Sequence, residues 1–218
     1  MNDAALIILK PRQIAESEAA LAELASWLPV VELVGYTEAQ LADGIFKAAL
    51  DLHPADFYLV ASDDLLVRWP ALDAVLDRRQ DDCCVTGYCQ FTHTDWRVNV
   101  TRRPLRGDRP ERGAYDFLSY HELVSGPPVR RTWFTGMSLT CMSAAMWEEF
   151  PFGCYQDGHG RGYASDFHLS RRLQDAEVPV QVVREGFCYH WRHEQTHTND
   201  PRDNQLVVGA VTPEIRLR

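Results

Sequence analysis

The sequence predicts a single α/β domain with a mixed, mostly parallel sheet flanked by helices, and three observations predict it. Apolar runs of strand length alternate with helical periodicity through the first 67 residues, which implies parallel strands joined by right-handed crossovers. One of those runs, residues 57–61, is rich in aromatic and branched residues, as in a strand buried on both faces. At 218 residues, 45% hydrophobic and 24% charged, the chain is long enough for one sizeable core.

Taken in order, residues 4–9 read as the first strand, ending in the basic turn Lys10, Pro11, Arg12. Lys10 and Arg12 there are either surface charge or contacts for a nucleotide or phosphate. Leu21, Leu24, Ala25 and Leu28 have helical spacing, and Pro29 stops that helix. Val30–Val34 is the second strand. Thr37 and Gln40 have the form of a capping box, and Leu41, Ile45, Ala48, Ala49 and Leu52 then mark the inner face of a second helix. The central strand follows at 57–61, and Ser62, Asp63 and Asp64 come directly after it. Open α/β sheets bind ligands at the C-terminal ends of their strands, where adjacent carboxylates can hold a hard divalent cation. Pro70 opens the next helix, with Leu72, Val75 and Leu76 inward.

Residues 85–91 and 97–101 read as two strands around a turn near Thr94 and Asp95. Beyond them lies a basic stretch over 97–112: Arg97, Arg102, Arg103, Arg106, Arg109 and Arg112 stand among only two acids, Asp108 and Glu111. In a chain of formal charge −9 this is a local exception. It is either a solvated excursion or a surface for a polyanionic acceptor, with Arg102, Arg103 and Arg106 as its nearest contacts. Residues 132–141 read as one apolar strand interrupted by Gly136, where a ligand could approach closely. Ser143 is placed to cap a short helix bearing Met146, Trp147 and Phe150. The glycine-rich 151–162 reads as a lid, and Ser165 and Asp166 open a helix with Leu169 and Leu173 inward. Val178, Val180 and Val182 alternate as a strand that leads to Tyr189, His190, Trp191 and His193.

Composition sets outer bounds. A pI near 5.3 argues against nucleic-acid binding over the whole surface. The six cysteines show no CxxC spacing and no signal segment opens the chain, so the expectation is reduced thiols in an intracellular, cytoplasmic protein.

The ASDD at 61–64, the TGMSL at 135–139, the GYASDFHLSRRL at 162–173 and the YHW at 189–191 together resemble the GT-A glycosyltransferases, most closely those of the glycosyltransferase family 2 type. The likeness runs over nearly the whole chain and is weakest at 97–131. It implies a GT-A, Rossmann-like sheet in one catalytic domain, with 1–67 as the nucleotide-binding half and 68–218 as the acceptor half. It also implies a nucleotide-sugar donor (a UDP-sugar), Mn²⁺ or Mg²⁺, and displacement at the anomeric carbon with inversion. In its terms Asp64 and His190 hold the metal, with His193 close enough in sequence to compete. Asp63 faces the ribose or the metal's water shell, and Asp166 is the base. The central motif departs from the usual Asp, any residue, Asp, since Ser62 stands where the first acid would be.

The residue types suit that chemistry. A diphosphate leaves only if its charge is compensated, and the attacking hydroxyl needs a base on the opposite face. A carboxylate at a helix N-terminus is expected to have a low pKa, so Asp166 would act mainly through position. Trp133 and Trp191 could stack on a sugar or base, and the acceptor is expected to be anionic, with DNA carrying hydroxylated bases the most specific case. Two other functions fit parts of the pattern. A nucleotidyltransferase shares the metal acids but would carry a glycine-rich loop after the first strand, which Lys10-Pro11-Arg12 lacks. A catalytically silent nucleotide-sugar binding module is a third reading.

Overall fold

A computed structural model describes residues 3–10, 15–92, 95–160, 162–190 and 213–218. Three parallel strands form first: β1 (Ala4–Lys10), β2 (Val30–Val34) and β3 (Phe57–Ser62). β1 lies between the other two, with Leu6 opposite both Val30 and Leu59. Side chains alternate across β1, so Leu6 and Ile8 face one layer and Ile7 and Leu9 the other. The first layer contains α1 (Ala15–Leu24) and α4 (Trp69–Leu76), which bury Leu21, Leu24, Leu72 and Val75.

The second layer begins with α2 (Glu38–Gln40), a π-helical turn at Leu41–Ile45, and α3 (Phe46–Leu52). The Thr37 capping box forms as expected, with the Thr37 side chain accepting from Gln40 N and the Gln40 side chain from Thr37 N. The inner face does not continue as the sequence predicts. Leu41, Phe46, Ala49 and Leu50 are buried, while Ala48 and Leu52 are exposed. The π turn inserts a residue and Gly44 takes a φ of 112°, which shifts every later position of the face.

After β3 the Asp63–Asp64 turn leads to β4 (Leu65–Leu66), then α4, with Pro70 in its first turn. The rest of the main sheet comes from β5 (Cys84–Tyr88), β9 (Val129–Thr132), β10 (Thr140–Ser143), β13 (Val180–Phe187) and β15 (Glu214–Leu217). Its order is β15-β2-β1-β3-β10-β5-β13-β9. It is less parallel than the sequence predicts: three neighbouring pairs are parallel and four antiparallel, because β10 enters reversed between β3 and β5 and each edge strand is reversed.

Residues 132–141 likewise do not form one strand. β9 ends at Thr132 and β10 starts at Thr140. Between them the chain turns with left-handed φ at Met137 (54°) and Leu139 (66°), a conformation that excludes a continuous ladder.

A smaller sheet of β6 (Gln90–Thr92), β7 (Asp95–Thr101) and β8 (Phe117–Ser119) leads into α5 (Tyr120–Val124) and packs on β5 and β13 through Tyr88, Val98, Val100, Leu118 and Val182. α6 (Ala144–Glu149) is capped by the Ser143 side chain, which accepts from Met146 N. Its Trp147 is buried with Phe46 and Phe152. A hairpin of β11 (Tyr155–Gln156) and β12 (Gly162–Tyr163) precedes α7 (Ser165–Asp175), and β14 (Tyr189–His190) follows β13. The described cysteines are free, and all but Cys154 are buried. No described helix is long and apolar enough to cross a membrane.

Candidate functional site

A cleft of 720 Å³ opens at the C-terminal ends of β1, β2 and β3, the position where open α/β sheets take ligands. One side consists of Leu9 together with Tyr36, Thr37 and Glu38 beyond β2. Ser62, Asp64 and Leu65 line it at the end of β3, and His190 lies beside them. Gly136, Met137 and Ser138 contribute from the β9–β10 connection, and Ser165 and Asp166 from the start of α7. Phe91, Tyr115, Phe117 and Phe134 add an aromatic wall.

Asp64 and His190 meet because β14 pairs antiparallel with β4, His190 opposite Leu65. His190 Nδ1 lies 3.1 Å from the Phe91 carbonyl. A carbonyl only accepts, so Nδ1 carries the proton there. In the neutral ring Nε2 is then a lone-pair donor, and it faces Asp64 Oδ2 at 3.2 Å. A proton or a cation must fill the space between two such acceptors.

The donor set therefore fits a divalent cation. An imidazole oriented through its other nitrogen by a backbone carbonyl is the usual arrangement of a metal-ligating histidine. A separation of about 3 Å also suits two donors at right angles, each about 2.1 Å from one ion. Two such donors meet here, and among the described residues no three His, Cys, Asp or Glu converge on one point. His193 and Trp191 lie outside the described residues.

Asp166 departs from the expected low pKa. Removal from bulk water pushes its carboxyl up to about 6, the Phe167 N–H at 2.7 Å opposes the rise, and the Glu38 charge adds to it. Desolvation thus outweighs the helix N-terminus. Glu38 was not legible as a site residue. Its Oε2 accepts from both Ser165 N (2.8 Å) and Ser165 Oγ (2.6 Å), so a carboxylate from α2 caps α7 from across the cleft. α7 has no side-chain cap of its own, because the preceding Ala164, at a left-handed φ of 57°, carries no acceptor in its side chain.

The glycine at 136 is required by a neighbouring side chain. A Cβ there would lie 2.3 Å from Asn99 Nδ2. Asn99 in turn is buried, accepts from Cys89 N (2.8 Å) and donates to Ser138 Oγ (2.6 Å). This side chain fastens the strained connection to β7, and no local pattern pointed to it.

Other expected contacts fall elsewhere. Lys10 is 3% exposed and is engaged by Glu18 and by Glu32 (3.3 Å), on the far side of β1 from Leu9. Pro11 and Arg12 lie outside the described residues. Asp63 is 1% exposed and does not line the cleft. Trp133 stands off the wall beneath the Arg131 guanidinium at 5.2 Å, and its neighbour Phe134 takes the wall position. Arg102 bonds Asp116 (2.6 Å) and Glu122 (2.7 Å), so it pins the loop while its side chain stays 35% exposed. Arg103 is exposed at 3.5 Å from Asp116, and Arg106 is exposed.

No protein-family model matches the sequence, and no curated protein matches it. Among solved structures, one titled "Crystal Structure of A197 from STIV" matches with a TM-score of 0.54 and 11% identity, over 88% of this chain and 87% of that one. At that identity the likeness is one of fold alone.

Proposed function

We propose that the protein is a metal-dependent, inverting glycosyltransferase of GT-A type that moves a sugar from a nucleotide-sugar donor to a hydroxyl acceptor. The observation that carries this reading is the oriented Asp64–His190 pair at the end of the central strand, with Asp166 on the same cleft. Support also comes from the reversed strand β10 between β3 and β5, whose preceding turn delivers Gly136 to the cleft.

Asp64 and His190 would hold Mn²⁺ or Mg²⁺ at the donor diphosphate. The chemistry supplied by that ion when bound is Lewis-acid compensation of the charge on the leaving group. Ser62 and the 136–138 backbone line the floor, and Tyr36 and Thr37 face the donor from the β2 side. Asp166 takes the proton of the attacking hydroxyl. Its raised pKa brings it closer to a working base than the helix N-terminus alone would allow, while leaving it ionised at neutral pH. The partly apolar cleft keeps water from competing for the anomeric carbon.

Isothermal titration of UDP with and without Mn²⁺ tests the reading. The wild type should bind UDP more tightly with Mn²⁺, and Asp64→Ala should abolish that gain while melting normally, since the side chain sits at a turn outside the main apolar clusters. Equal Mn²⁺-dependent affinity in the variant would remove Asp64 from the site. Mn²⁺-dependent binding without donor hydrolysis or transfer would favour a silent binding module.

A further inference from the structure

The first residue of α2 bears on the base, an inference that rests on the glycosyl-transfer reading. Thr37 and Gln40 close the capping box between themselves, and the Glu38 carboxylate goes to α7 instead. Its Oε2 accepts from Ser165 N at 2.8 Å and from Ser165 Oγ at 2.6 Å, and both residues line the cleft. The backbones close up here as well. A Cβ on Gly162 would lie 2.7 Å from Ala39 N and 3.1 Å from the Glu38 carbonyl carbon, so β12 runs directly against α2.

Each side of this contact depends on the other. α2 is three residues long and leads into the π turn at Leu41–Ile45, so regular helical structure does little to hold it in place. α7 begins after Ala164, which offers its first turn no side-chain acceptor. Asp166 follows Ser165 directly, and its Oδ1 accepts from Phe167 N at 2.7 Å, so the base belongs to the turn that Glu38 holds. Tyr36 and Thr37 on one side of the cleft and Asp166 on the other are thus joined through a single carboxylate.

We propose that Glu38 is a positioning residue for sugar transfer: through Ser165 it ties the base Asp166 to the segment that faces the donor. It does not touch the reacting atoms. A transfer step needs the base within hydrogen-bond reach of the attacking hydroxyl while that hydroxyl lies in line with the anomeric carbon, and a small displacement of either part costs rate rather than donor affinity. The charge on Glu38 has a second, separable effect. An amide there would accept from Ser165 equally well, but the carboxylate also opposes ionisation of Asp166, adding to the larger effect of burial. A cap alone has no use for that charge, whereas a base working near neutral pH gains proton affinity from it.

The test measures hydrolysis of UDP-glucose, UDP-galactose and UDP-N-acetylglucosamine with Mn²⁺, water standing in for the acceptor. Calorimetric titration of UDP with Mn²⁺ reads binding apart from chemistry. Glu38→Ala should lower kcat by about 10- to 100-fold, the scale of a misplaced catalytic group, with UDP affinity changed by less than about threefold. Glu38→Gln should restore kcat to within about threefold of wild type at pH 8 and move the midpoint of the pH profile down, so its turnover relative to wild type rises on acidification. Ser165→Ala keeps the N–H and the Glu38 charge, so it should lower kcat less than Glu38→Ala and leave the midpoint in place. Carbon NMR of the Asp166 carboxyl follows the same midpoint without turnover, and together with Glu38→Gln it carries the test if Glu38→Ala melts early. Wild-type hydrolysis with unchanged kcat in Glu38→Ala overturns the positioning role and leaves the transferase reading standing. So does a Glu38→Gln variant that rescues nothing and keeps the wild-type midpoint. Hydrolysis of none of these donors by the wild type overturns both, since a base with no reaction has nothing to be positioned for.

Discussion

Asp166 holds its negative charge at a cost to the folded state, and the cost has a definite pH dependence. Below its ordinary value of 3.8 the carboxyl is protonated in both states. As pH rises from there to about 6 the native protein binds more protons than the unfolded chain, so stability falls, and above about 6 the whole penalty is present. At about 1.4 kcal/mol per tenfold change in proton affinity the penalty is bounded near 3 kcal/mol. Asp166→Asn should therefore stabilise the protein by about 1–3 kcal/mol in urea titrations at pH 7.5 while lowering turnover by roughly 10². Wild-type turnover should fall on acidification with a midpoint near pH 6. Glu38→Gln keeps an acceptor for Ser165 but deletes a charge that raises Asp166, so it should move that midpoint to lower pH. At this scale the sequence located Asp166 and misjudged its acidity. Helix position is local and can be read from spacing, whereas burial and the charge of Glu38, a residue distant in the chain, are set by the tertiary fold.

Elements were legible where local chemistry decides them. The Thr37 box, the Ser143 cap and the Pro70 helix start all form at the expected residues. Legibility failed where backbone geometry departs from a regular period, as in the π turn at Leu41–Ile45, which keeps helical spacing in the sequence, and the turn between β9 and β10, which reads as one apolar strand. Close approach between elements was also hidden. Gly87 of β5 faces Gly186 of β13, and a Cβ at Gly87 would lie 2.4 Å from the Gly186 carbonyl and 2.7 Å from that of Ser138. Both obstacles are backbone. Gly87→Ala should thus force the β5–β13 pair apart at a cost of about 2 kcal/mol or more, measured by chemical denaturation. Gly136→Ala meets the Asn99 side chain instead, so pairing it with Asn99→Ala should recover part of the lost stability, a coupling that a double-mutant cycle would report.

Across the molecule, the alternation of strands and helices predicted the two layers, and the strand-end carboxylate predicted the cleft. Partners 126 positions apart, as Asp64 and His190 are, have no local signature in either segment, and only the family resemblance paired them. The same holds for the buried ion cluster that withdraws Lys10 from the site. Glu32 is 1% exposed and lies between Lys10 (3.3 Å) and Arg218 Nε (2.5 Å), with Arg218 also engaging Glu18. This cluster fastens β15 to β2, so Arg218→Ala should lower the denaturation midpoint by about 1–3 kcal/mol in stability. The Lys10 bond is the first cause of the lowered Glu18 pKa. A lowered carboxylate contributes stability above its ordinary 4.5 and loses it as pH falls through the folded value, so the cluster should weaken in acid.

The reversed strand β10 has a kinetic consequence. β1, β2 and β3 pair within the first 62 residues, whereas β3 must wait for Thr140–Ser143 and β5 for Val180–Phe187. Contacts closing such long loops form late. Pulse-labelled amides of β1–β3 should become protected from exchange before those of β5, β10 and β13. The Asp64 turn would then be in place while its histidine partner was still unfolded, so a divalent ion at that pair should slow unfolding and leave the refolding rate unchanged.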